Sequence, residues 1–185
     1  MEKFRPIESF DQEIQRKLDE AKSKALTWGE VQMYTDQMRE LESQIVDIPN
    51  PELVKKFNAL ADKLNEAHIH VNTISEFKLL LDKIALNNEH AKALLNHENA
   101  HANVAQSVGV DHDGYIILVR KEDDGTFYYS PMATWKFPAE WWDKKENIEK
   151  TIQIFSAPQE YGDRMSVDDK DNVKELQDKL REFNS

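Results

Sequence analysis

The stretch Asn88-Glu89-His90-Ala91-Lys92-Ala93-Leu94-Leu95-Asn96-His97-Glu98-Asn99-Ala100-His101-Ala102-Asn103-Val104-Ala105-Gln106-Ser107-Val108-Gly109 decides how this chain is read. At 100° per residue, His90, Leu94, His97, His101, Val104 and Val108 fall on one narrow face, and Ala91, Leu95, Ala102 and Ala105 form a second apolar one. The spacing predicts a helix from about Asn88 to Ser107, stopped by Gly109. A helix apolar on two sides is one that a domain buries, so its histidines and glutamate need polar partners. The character then changes. Tyr115-Ile116-Ile117-Leu118-Val119, then Glu122-Asp123-Asp124-Gly125, then Thr126-Phe127-Tyr128-Tyr129 read as a β-hairpin with a glycine-containing turn. Thr134-Trp135-Lys136-Phe137 reads as a third strand.

Upstream, the pattern is helical almost throughout. Phe10, Ile14, Leu18, Ala21 and Ala25 recur every three or four residues. Thr27 with Glu30 has the spacing of a capping box and starts a second helix, with the stripe Val31, Tyr34, Met38, Leu41 and Ile45. Ile48-Pro49-Asn50-Pro51 breaks it, because neither proline continues a helix interior. A third helix starts at Asn50 with Pro51 in its first position. Its seam, Leu53, Phe57, Leu60, Leu64, Ala67 and Val71, steps by fours and threes like a short coiled coil. His68 and His70 are expected near its end, on different faces, as surface histidines. Thr73 with Glu76 repeats the capping signal, ahead of Ile74, Phe77, Leu81 and Ile84.

Downstream, Pro138 is expected to open a helix carrying Trp142, Ile148, Ile152 and Phe155. Ala157 to Met165 reads as a loop. Ser166 with Asp169 caps a last helix with a buried stripe of Val173, Leu176, Leu180 and Phe183. The expected fold class is α+β, mainly α. A helical N-terminal arm spans about 1–72, and an α+β domain spans 73–185, with a soft boundary between them. That domain holds the H-E-x-x-H helix, a small antiparallel β-hairpin or sheet, and C-terminal helices.

Composition bounds the function. Cysteine is absent, which excludes disulfide scaffolds, thiol catalysis and cysteine-ligated zinc fingers. A formal net charge of −11 argues against nucleic acid as a partner, since phosphates would be repelled. No apolar run approaches the roughly 20 residues a membrane span needs. Met1 to Phe10 has no apolar signal core, so a cytoplasmic setting is the default expectation.

The chemistry concentrates at His97-Glu98-Asn99-Ala100-His101. On a helix, residues four apart lie one turn apart on the same face, so both imidazoles can grip one ion. Glu98 stands where it can take a proton from a water on that ion. A catalytic zinc takes three protein ligands and keeps its fourth position for water. His90 lies about 13 Å of helical rise from the level of the pair, too far for an imidazole. His112 follows the stop at Gly109 and would have to return about 12 Å, which three extended residues only just cover, so it stays a strained alternative. The remaining candidates are Glu160, Asp163, Asp168 and Asp169.

The motif helix resembles the zincin metallopeptidases, and the likeness is confined to His97–His101 and its helix. There is no glycine three residues after His101 and no histidine six after it, so the longer metzincin signature is not met. The resemblance implies Zn2+ as cofactor, His97 and His101 as ligands and Glu98 as general base. It also implies a third ligand from a downstream carboxylate. Among these acids Asp169 is the first choice, because the start of a packed helix holds a side chain in place, and Glu160 is the second. Tyr115, Tyr128, Tyr129, Tyr161 and Arg164 are available to stabilise a developing oxyanion.

The leading expectation is therefore a zinc-dependent hydrolase that cleaves a peptide or amide bond in a peptide or protein substrate. The alternative is a helical protein–protein interaction module, catalytically inactive, with a structural metal or none. The Leu53 to Val71 seam would then serve homo-oligomer formation through the N-terminal helices.

Overall fold

The computed structural model describes residues 7–47, 50–138 and 140–183. Ile48 and Pro49, and most of the Met1 to Phe10 segment, lie outside the described residues. Among the described residues are seven α-helices and a small mixed sheet, an α+β fold that is mainly α. The chain forms two compact units, Met1–His70 with Ile116–Ser130, and Val71–Tyr115 with Pro131–Ser185. Among the described residues, no helix is long and apolar enough to cross a membrane.

The first unit begins with α1 (Ile7–Lys24), which buries Ile14, Leu18 and Ala21. A two-residue strand, β1 (Leu26–Thr27), leads into α2 (Trp28–Asp47). Glu30 N–H donates to Thr27 Oγ1, and Thr27 N–H donates back to Glu30, so the expected capping box is formed. In α3 (Pro51–Asn65), Asn50 accepts from Glu52 N–H and Pro51 opens the helix.

The helix does not reach Val71 as the seam suggested. Residues His68–Val71 form strand β2, in which Ile69 and Val71 are buried and His68 and His70 are exposed. The two histidines therefore share one face, because side chains in a strand alternate with period two. The run His68-Ile69-His70-Val71 fits both periods, and its β-branched residues favour the strand. Strands β3 (Asp111–Lys121) and β4 (Phe127–Lys136) form the hairpin, whose turn places Gly125 at φ 87°. The sheet order is β1-β3-β2, with β4 also paired to β3 and Leu26 opposite Arg120 in a parallel ladder. The Trp28 indole N–H reaches Glu122 at the hairpin turn, 3.1 Å away.

The second unit holds α4 (Ile74–Ile84), entered through the Thr73–Glu76 capping box and burying Phe77, Leu80 and Leu81. Phe77 stacks on Tyr115 with ring centroids 4.1 Å apart. The motif helix, α5 (Asn88–Ser107), starts at Asn87, which accepts from His90 N–H, and stops before Gly109 at φ 80°. Ala100 is buried where the second face had Ala102, which is half-buried.

Four downstream expectations are corrected. Thr134–Lys136 is no separate strand but the end of β4. That strand tolerates Pro131 because, among the described residues, β4 pairs on β3 alone. Pro138 opens no helix. A 3-10 turn at Trp141–Asp143 comes first, and α6 (Lys145–Glu160) starts only after Lys144, whose backbone is extended. Trp141, not Trp142, is the buried tryptophan, and its indole N–H donates to Thr151. Ala157–Glu160 stays helical, with Ala157 and Pro158 buried. The Pro158 carbonyl then accepts from Tyr161 and Asp163 N–H around Gly162 at φ 82°. Finally, α7 (Val167–Glu182) buries Leu176, while Phe183 is 45% exposed. The core under α5 and α6 is built from Ala100, Val104, Ala105, Val110, Trp141, Ile154 and Ala157.

Candidate metal centre

Helix α6 packs against both α5 and α7, and this brings three donors together inside the second unit. His97 and His101 project from one face of α5, and Asp169 comes from the first turn of α7. Their donor atoms lie within 4.8 Å of one another, and His101 and Asp169 are buried. His97 Nε2 is 3.3 Å from His101 Nε2 and 3.2 Å from Asp169 Oδ2, and His101 Nε2 is 3.4 Å from Asp169 Oδ1. A tetrahedral ion with bonds of about 2.0–2.1 Å sets its donors about 3.3–3.4 Å apart, which is the spacing of the two imidazole nitrogens, while Asp169 meets each ring with a different oxygen.

The other ring nitrogens decide what the inward ones can do. His101 Nδ1 lies 2.7 Å from the Ile154 carbonyl, which only accepts, so Nδ1 carries the hydrogen and donates it. His97 Nδ1 faces Asp163 Oδ2 at 3.0 Å and is assigned the hydrogen for the same reason. Both Nε2 lone pairs then point inward at each other and at a carboxylate. Three Lewis-basic atoms converging at this distance repel unless a cation sits among them. Ligand histidines are ordinarily held in this way, with the outer nitrogen donating to a carboxylate or carbonyl.

In the metal-free chain a proton takes that cationic role. The hydrogen bond to Asp169 raises His97 from 6.5 to about 9, against the opposing effect of burial and with help from Asp163. Burial opposes charging of His101, but Asp169 and the Ile154 carbonyl outweigh it and raise its pKa. Burial likewise opposes ionisation of Asp169, yet its bonds to His101 and His97 hold it well below the usual carboxylate range. A proton occupies one lone pair at a time, whereas a divalent ion satisfies all three donors.

Asp169 has a second task. Its Oδ2 accepts from Ser166 N–H, and its own N–H donates to Ser166 Oγ, each at 3.0 Å. The capping box fixes the carboxylate before any ion arrives. Glu98, next to His97, is buried and accepts the Ala133 N–H of β4 on Oε2 at 2.7 Å. Burial lifts its pKa from 4.5 to about 7.

The remaining candidates fall elsewhere. Glu160 ends α6, exposed, and Asp168 is exposed at the start of α7, neither in the donor group. Asp163 serves as the outer partner of His97. His90 accepts the Leu86 N–H at the helix start, and His112 packs edge-on against Tyr115 at 4.7 Å. Of the oxyanion candidates, Tyr115 donates to Asn99 at 2.8 Å, Tyr161 is exposed, and Arg164 donates its backbone N–H to Asp163. Tyr128 and Tyr129 belong to the first unit. Sequence reading had no route to the Ile154 carbonyl or the Ala133 N–H, because backbone groups carry no residue signature.

No family model, no curated protein and no solved structure matches this chain. The reading of the site rests on its own geometry.

Proposed function

We propose that the chain is a zinc-dependent hydrolase of peptide or amide bonds, with His97, His101 and Asp169 as ligands and Glu98 as general base. The observation that carries this reading is the set of three inward donors within 4.8 Å of one another, with both outer imidazole nitrogens tied off. Two nitrogens and one carboxylate suit a borderline ion such as zinc. A structural zinc ordinarily takes four protein donors, whereas three converge here among the described residues, leaving a position for water.

When bound, the ion supplies a Lewis acid that makes water acidic near neutrality and polarises a carbonyl. Asp163 and the Ile154 carbonyl hold the two rings in register. The Ala133 N–H fixes Oε2 of Glu98, which leaves Oε1 to take the proton from the attacking water and return it to the leaving amine. A carboxyl shifted toward neutrality by burial suits that exchange.

The test is hydrolysis of a mixed quenched-fluorescent peptide library by the zinc-loaded chain. Glu98→Gln is expected to lower the rate by about 10²–10⁴-fold while zinc stays bound. An unchanged rate in Glu98→Gln, or no cleavage by the zinc-loaded native chain, overturns the reading.

One observation favours the interaction-module alternative: among the described residues α3 buries none, and Leu53, Phe57, Leu60 and Leu64 are half-buried. Sedimentation of the zinc-free chain separates the two. A dimer lost on a change within this seam, such as Phe57→Lys, would support it, and a monomer would remove its basis.

A further inference from the structure

The run His68-Ile69-His70 shares no residue with the metal centre and carries two more imidazoles. Side chains in β2 alternate, so His68 and His70 stand exposed on one face while Ile69 between them is buried. The backbone beneath them is anchored. The Val119 N–H of β3 donates to the Ala67 carbonyl at 2.8 Å, and Ile69 is packed in the core. Both imidazoles therefore leave a held strand toward solvent on the same side.

Their spacing suits one ion. At 3.3–3.4 Å per residue, positions two apart on a strand are about 6.6–6.8 Å from each other. Two nitrogens on one ion, with bonds of about 2.0–2.1 Å, stand about 3–3.4 Å apart. Each ring closes half the difference, so it leans inward by about 2 Å or less. His68 is also oriented for this. Its Nδ1 meets the Asn65 carbonyl, which only accepts, so Nδ1 is assigned the hydrogen and Nε2 presents a lone pair. The Ile154 carbonyl holds His101 in the same way. An imidazole has two nitrogens, so His70 can bind an ion through one whatever its other nitrogen holds.

The donor set selects the ion. Among the described residues, only His97, His101 and Asp169 form a group of three metal-ligating side chains. The strand pair thus supplies two imidazoles and leaves the remaining positions to water. Affinity at such a site follows the Irving–Williams order, in which copper(II) ranks above nickel(II) and zinc. Copper(II) also takes the tetragonal geometry that two adjacent imidazoles and waters fill.

We propose that His68 and His70 form an exposed, exchangeable two-imidazole site for a late first-row divalent ion, copper(II) ahead of nickel(II) and zinc. The site is independent of the hydrolase reading.

The test is titration of the untagged full-length chain with copper(II), read by visible absorption and electron paramagnetic resonance. The native chain is expected to bind one more ion than His68→Ala/His70→Ala, and the difference spectrum to show two imidazole nitrogens on it. That difference of one holds whether or not the buried centre takes copper, so failure of the metal centre and failure of this site are distinguishable. Chelation makes the two side chains act as a unit. His68→Ala alone, and His70→Ala alone, are each expected to weaken binding at least about tenfold. Because both side chains are exposed, all three variants are expected to melt within a few degrees of the native chain in chelator. Equal copper stoichiometry in the native and doubly changed chains overturns the proposal. A single variant that keeps native affinity also overturns it, since each imidazole would then be binding alone.

Discussion

His97 meets a different carboxylate at each ring nitrogen, Asp163 at Nδ1 and Asp169 at Nε2. Its folded pKa of about 9 lies above the ordinary 6.5, so folding favours the proton. The stabilisation is complete below about pH 6.5 and is lost as pH rises through 9. In chelator, stability is therefore expected to fall between those limits. In saturating zinc the same span should show no loss, because ion affinity climbs as the proton leaves. Urea unfolding at stepped pH checks both arms, and identical slopes with and without zinc would contradict the shared site. Asp163, 48% exposed on its side chain, acts through His97. Asp163→Ala should lower zinc affinity about 10–100-fold and leave the fold intact; competition against a chromophoric chelator reads this directly.

At the scale of elements, the start of α7 does two jobs with one residue. Ser166→Ala removes the cap, worth about 1 kcal/mol, and also frees the Asp169 carboxylate. The variant should lose stability in chelator and lose zinc affinity as well, and a stability loss with unchanged affinity would mean that the ion, not the cap, orients Asp169. The caps at Thr27, Thr73 and Ser166 and the stop at Gly109 were legible in the sequence because each rests on local hydrogen bonding or backbone conformation. The same local logic misplaced the end of α3 and the run Ala157–Glu160. In the first, His68–Val71 satisfies both the helical and the strand period, and pairing within the sheet chooses. In the second, proline reads as a breaker, yet Pro158 stays in the last turn of α6, buried, with its carbonyl still capping the chain. Asp169 could be ranked first among four acids from its place at a helix start, but its meeting with His97 and His101 could not be derived. Bringing residues 68 and 72 positions apart in sequence together is the work of α6 packing between α5 and α7, and local pattern carries no trace of that.

Across the whole molecule, an ion held by His97, His101 and Asp169 would join α5 to α7 within the second unit and so link binding to the folding of that unit. A ligand held only by the native state adds about 2.7 kcal/mol at a hundredfold excess over its Kd. Zinc is thus expected to raise the melting temperature by several degrees. His101→Ala should abolish that zinc-dependent rise and also lower stability in chelator, since His101 is buried and bonded to the Ile154 carbonyl. The most direct measurement is the zinc content of the untagged chain after incubation with zinc and exhaustive dialysis, by inductively coupled plasma mass spectrometry. The native chain should retain about one ion and His101→Ala almost none. A native chain that retains no more zinc than His101→Ala would contradict the metal centre and every step built on it.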